Sequence, residues 1–198
     1  NERSALRFRL GRLRVDRLSD PEGAVSALRD IVEERRDHDE AIRALEGIAD
    51  AHPAIRLTVV EILEPIYRDL DDWNRLIVAL NIRIAASTDL PERTQLLREV
   101  GSLKETRARD VKGAFASFSQ AFTEDAGDGE AREARERLAA EHNLWDDLVR
   151  AYESAAAATD DVTLRGDLLR AIAQTHDQRR DDPRAALEFL REHQRYFD

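Results

Sequence analysis

The chain has 198 residues, 42% of them hydrophobic and 36% charged, with 8 Gly, 5 Pro and no Cys. This balance suits amphipathic helices and leaves few turn residues for a sheet protein, while the missing cysteine excludes disulfides, thiolate metal sites and a cysteine nucleophile. A net charge of −10 repels phosphate backbones, and no apolar run approaches the roughly 18 residues of a membrane span.

Helical periodicity predicts eleven helices and no strand, over about 3–18, 21–36, 38–51, 54–69, 73–87, 91–108, 111–124, 129–142, 144–159, 162–179 and 183–197. The first is rich in arginine: Arg3, Arg7, Arg9, Arg12, Arg14 and Arg17. Ser19-Asp20-Pro21 opens the second with a capping acid and a proline suited to the first turn, and Asp181-Asp182-Pro183 opens the last in the same way. Asp72 before Trp73, and Asp128 after Gly127, are further N-cap candidates. The connections are short, so successive helices should pack as antiparallel hairpins.

The chain repeats itself. The stretch starting at Arg3 returns 90 residues later at Arg93 and a further 72 later at Arg165. At those offsets Leu10 corresponds to Val100 and Ile172, Asp20 to Asp110 and Asp182, Ala24 to Ala114 and Ala186, and Leu28 to Phe118 and Leu190. Between these copies, Trp73, Leu76 and Leu80 match Trp145, Leu148 and Tyr152. Self-similarity on this scale marks a solenoid, in which each unit needs a neighbour to cover its apolar face. The longer first interval leaves room for one extra helix, which this reading assigns to 37–52, closed by Pro53. The resulting units are about 1–36, 37–89, 90–126, 127–160 and 161–198, within one helical repeat domain.

The three good copies resemble tetratricopeptide repeats of bacterial type. Leu97, Val100 and Gly101 stand where that family has its large, apolar and small positions in helix A; Ala114, Phe118 and Ala121 stand at its helix B packing positions. The first copy keeps Gly11, Ala24 and Leu28, the third Ala173, Ala186 and Leu190. The spacing from Gly101 to Ala114 is one residue longer than usual, and the proline that usually ends a repeat is missing. The resemblance implies an all-α, right-handed solenoid of about five hairpins whose concave wall is formed by the A helices. Carried over, the exposed positions of that wall are Phe8 and Arg12, then Gln95, Arg98 and Ser102, then Asp167, Arg170 and Gln174. Arg98 and Arg170 occupy one repeat position, where a guanidinium suits a carboxylate. The Lys and Asn of the family's carboxylate clamp are absent.

Chemistry finds little support. Paired acids such as Asp71-Asp72 and Asp160-Asp161 fall at helix starts, where carboxylates cap free N–H groups. The five histidines lack ligand spacing, and no phosphate loop, nucleophile elbow or dinucleotide fingerprint occurs. The expectation is a non-catalytic scaffold for a protein or peptide, without cofactor, metal, nucleic acid or membrane insertion. The alternatives are a structural spacer or, less favoured, an RNA reader using the arginines of the first helix. Apolar Leu187, Phe189, Leu190, Tyr196 and Phe197 in the last helix suggest self-association through the terminal helices, and an excised segment of a longer protein.

Overall fold

A computed structural model describes residues 2–179 and 182–193. The described residues form eleven α-helices and no strand: α1 (Glu2–Leu18), α2 (Pro21–Glu34), α3 (Asp39–Ala51), α4 (Arg56–Asp69), α5 (Trp73–Ala86), α6 (Leu90–Leu103), α7 (Val111–Glu124), α8 (Gly129–His142), α9 (Trp145–Ala158), α10 (Val162–Gln174) and α11 (Pro183–Glu192). A 3₁₀ turn, Pro53–Ile55, leads into α4, and π-helical turns, Lys104–Ala108 and Thr175–Arg179, finish α6 and α10. Every helix expected from periodicity is present, and the two longest spans include their π turns. Tyr196 and Phe197 lie outside the described residues, as does Asp181.

Local chemistry sets the helix starts. Asp20, Asp72, Asp89, Asp110, Asp128, Asp161 and Asp182 each accept a hydrogen bond from a backbone N–H two or three residues on. These bonds satisfy donors that the first helical turn leaves free. His38 caps α3 with Nδ1, which accepts from the Ala41 N–H at 3.3 Å. Asp146 and Asp147 do not cap: they lie in the first turn of α9, behind Leu144.

The chain divides into two compact units between Ser87 and Thr88. In the first, α1 packs on α2 and α3, α2 on α3 and α4, α3 on α4, and α4 on α5. In the second, α6 packs on α7, α7 on α8 and α9, α8 on α9, α9 on α10, and α10 on α11. Helices that touch mainly their sequence neighbours are the packing mode of stacked helical hairpins. The cores are rows of apolar residues at helical spacing, as in Leu28, Ile31 and Val32 of α2 or Phe115, Phe118 and Phe122 of α7.

Turn geometry repeats with the sequence. The Asp20, Asp110 and Asp182 N–H groups donate to the carbonyls of Arg14, Lys104 and His176, six residues back, at 3.0, 2.9 and 2.9 Å. A different turn closes α4 and α8, where the Asp72 and Leu144 N–H groups reach Tyr67 and Ala139, five residues back, at 2.9 and 3.0 Å. Among the described residues the left-handed positions in these turns are Ser19, Asp71, Arg109 and Asn143, none of them a glycine. The α2–α3 turn repeats the α7–α8 turn 90 residues on: the Arg35 and His38 bonds to Ile31 and Arg35 match those of Asp125 and Asp128 to Ala121 and Asp125. The interval of 90 thus holds at the start of α3, and the interval of 72 at the end of α4.

Candidate functional site

Two recesses in the first unit flank α3. Its exposed ridge carries Arg43, Gly47, Asp50 and Ala51, and a side chain at Gly47 would meet open space. On one side, α1 and α3 enclose about 330 Å³ lined by Phe8, Val15, Leu28 and Ile48, with Arg12 and Arg43 at the edge. On the other, α3, α4 and α5 enclose about 360 Å³ over Val59, Leu63, Val78 and Ile82. Val78 is 60% exposed, although its neighbour Ala79 belongs to the core. Apolar floors with a few polar edge groups are the usual make-up of ligand recesses.

A hydrogen-bonded triad marks the second recess. The Tyr67 hydroxyl donates to Glu46 Oε1 at 2.8 Å, and Arg75 Nε lies 3.1 Å from the same oxygen. Burial, then the bond to Glu46, pushes the Tyr67 hydroxyl well above its ordinary value, so it remains a donor. The arrangement recurs in the second unit around Glu136, which is 90 residues after Glu46. Tyr152 donates to Glu136 Oε1, and Arg132 Nε lies 2.8 Å from that oxygen. Burial and the bond to Glu136 raise the Tyr152 hydroxyl to about 12. Burial alone would raise Glu136, but the bonds from Tyr152 and Arg132 outweigh it and hold the carboxylate below its usual range. This triad borders a smaller recess of about 150 Å³ between α8, α9 and α10.

Behind Tyr152 lies Arg135, fully buried between two rings. Its guanidinium carbon is 3.7 Å from the Phe122 centroid and 4.1 Å from that of Tyr152. None of its three side-chain nitrogens has a hydrogen-bond partner, and burial lowers its pKa to about 10. The positions 90 residues earlier are apolar: Val32 for Phe122 and Leu45 for Arg135, both buried. Nothing in the helical pattern separates such an arginine from the solvated ones around it, so sequence reasoning missed both it and the triads.

The residues expected on the concave wall are dispersed. Phe8 and Arg12 meet at the α1–α3 recess, where Phe8 lies 6.1 Å from the His38 ring and Arg12 pairs with Asp16 at 3.8 Å. Arg98 reaches Asp128, the N-cap of α8, at 2.9 Å and Glu130 at 3.4 Å, clamping α6 to the start of α8. Gln95 and Ser102 are exposed on α6, and the Ser102 carbonyl accepts from the Thr106 hydroxyl at 2.7 Å. On α10, Asp167 pairs with Arg170, and Gln174 lines the smaller recess. Of the α1 arginines, Arg7 pairs with Glu34 at 2.6 Å and Arg14 donates to the Gly23 carbonyl at 2.6 Å. Among the described residues, no cluster of three or more His, Asp or Glu is placed to hold a metal ion, and no helix is long and apolar enough to cross a membrane. The fold and recesses define an all-α protein of sequentially packed helices with grooved faces. No family model matches the chain, and no curated protein matches it.

Proposed function

We propose that this chain is a non-catalytic scaffold that holds a peptide segment of a protein partner in the recesses beside α3. The observation that carries this reading is the pair of apolar-floored recesses on either side of one exposed helix ridge, with Val78 presented to solvent beside the buried Val59, Leu63 and Ala79. Exposed apolar surface of this kind gains from being covered, and nearby Asp50, Arg43 and Arg12 supply the polar contacts that orient a peptide. The resemblance to tetratricopeptide repeats points the same way, since such arrays bind on the faces of their A helices.

Affinity capture tests the reading, using the wild type beside Val78→Arg and Arg98→Glu/Arg170→Glu. The expected outcome is a discrete partner retained by the wild type, lost with Val78→Arg and kept by the double variant, whose arginines have intramolecular partners. Equal retention by the wild type and Val78→Arg would move the interface away from α3. Failure of the wild type to retain any partner would favour a structural spacer.

A further inference from the structure

The recess enclosed by α3, α4 and α5 stands where the repeat interval passes from 90 to 72 residues: the start of α3 matches the start of α8, and the end of α4 matches its end. α5 then corresponds to α9. The positions of α9 that match Val78 and Ile82 are Arg150 and Ser154, both exposed, with the Arg150 side chain 68% accessible. Stacking of hairpins therefore does not require apolar side chains there, yet the α5 wall of this recess carries two. Asp50, in the last turn of α3, and Arg56, the first residue of α4, line the same recess. Arg56 Nε donates to the Ala49 carbonyl at 3.2 Å, which fixes the side chain. Its terminal nitrogens and the Asp50 carboxylate have no hydrogen bond or ion pair among the described residues. The other charges on the recess are satisfied: Glu46 accepts from Tyr67 and pairs with Arg75, which also holds Asp72. Two opposite charges thus line one cavity without closing on each other.

We infer that this recess holds one leucine-sized apolar residue of an extended peptide, gripped by its own backbone: Asp50 accepts its N–H and Arg56 donates to its carbonyl. The N–H and C=O of an extended residue point to the same side, so one acceptor and one donor on the same cavity serve both. The side chain covers Val59, Leu63 and Val78, where about 360 Å³ gives it room and burial of apolar surface supplies the gain. A charged side chain would satisfy Asp50 or Arg56 and repel the other. A helix would use neither, because its backbone groups are already paired. The inference rests on the peptide-scaffold reading and adds to it the residue that is read and the atoms that read it.

The probe is N-acetyl-L-leucinamide, one leucine with both peptide groups, titrated into the intact, methyl-labelled protein and followed by NMR. The expected result is a saturable shift of the Val59, Leu63 and Val78 methyl signals, with a dissociation constant on the order of 1 mM, ordinary for a ligand of this size. Asp50→Ala and Arg56→Ala should each weaken it at least about tenfold, and N-acetyl-L-alaninamide should give no saturable shift. Asp50 is exposed on a helix, so Asp50→Ala should keep the wild-type melting temperature. No saturable shift, or equal binding by Asp50→Ala, overturns the inference. So do shifts confined to Leu28 and Ile48, which would give the residue to the α1–α3 recess. Tighter binding of free L-leucine than of the capped amide also overturns it, since the ligand would then be an amino acid and not a peptide. A partner captured in a Val78-dependent way while the capped residue fails to bind would leave the scaffold standing and remove this inference. Saturable, Asp50-dependent binding beside a failed capture would keep the site and remove the scaffold.

Discussion

Arg135 is a buried cation with no ion pair or hydrogen bond among the described residues, attracted only at longer range by Glu136, and its energetics can be weighed. Two aromatic faces return about 2 kcal/mol or more when desolvated. Removing the charge from water costs several kcal/mol, and each unsatisfied N–H adds about 1–3 kcal/mol. The cost is the larger side, so Arg135→Leu, which installs the residue found 90 positions earlier at Leu45, should leave stability equal or raise it by about 1–4 kcal/mol. Arg135→Ala should be about 2–4 kcal/mol less stable than Arg135→Leu, because it opens a cavity between Phe122 and Tyr152. Urea denaturation of both variants checks the order. Glu64 is the contrasting case, a nearly buried carboxylate with good partners: Arg68 and Arg83 each lie 2.8 Å away. Burial opposes its ionisation, but the bonds from Arg83 and Arg68 win and hold its pKa below 4.5. A carboxylate lowered on folding stabilises the fold above its unfolded pKa, and that stability is lost as pH falls through the folded value. Between about pH 5 and pH 3 the melting temperature of the wild type should therefore fall more steeply than that of Glu64→Gln. Glu124 and Glu136, lowered in the same direction, carry the slope that remains.

Within the hairpins, close approach depends on one small residue facing one large one. A Cβ on Gly101 would lie 2.8 Å from the tip of the buried Phe118 ring, whereas one on Gly11 would lie 3.1 Å from Leu28 Cγ. The third copy already carries the combination Ala173 and Leu190. Alanine in place of glycine gains up to about 1 kcal/mol in a helix interior, but overpacking a core costs about 1–3 kcal/mol. Gly11→Ala should accordingly be near neutral, because Leu28 can shift, and Gly101→Ala should destabilise, because the ring cannot. Adding Phe118→Leu to Gly101→Ala should recover part of the loss. A double-mutant cycle measured by thermal melting gives the coupling, expected to be at least about 0.5 kcal/mol in favour of the pair. Failure of the cycle to show coupling would separate Gly101 from Phe118.

On the scale of the molecule, a sequentially packed array is as stable at each point as its neighbours make it. α1 buries only Ser4 and Gly11 among its seventeen residues, while α2 buries six of fourteen. Amides of α1 should therefore exchange faster than those of α2 and α3 in native-state hydrogen exchange, by at least about tenfold. Helix positions were legible in the chain, because apolar spacing and capping acids such as Asp20, Asp110 and Asp161 act within a few residues of one another. The repeat was legible for the same reason: a side chain packing across a hairpin, like Leu28 over Gly11, imposes the same residue types in each copy. The intramolecular engagement of Arg98 was not legible, since its partner Asp128 lies thirty residues away and one exposed arginine in a sequence looks like another. Nor was the burial of Arg135, which follows from the rings that α7 and α9 bring to either side of it. Local periodicity determined where the helices lie; which arginines are consumed and which faces stay open was decided only by long-range contacts, because charge pairing and burial depend on neighbours that the fold, and not the spacing, supplies.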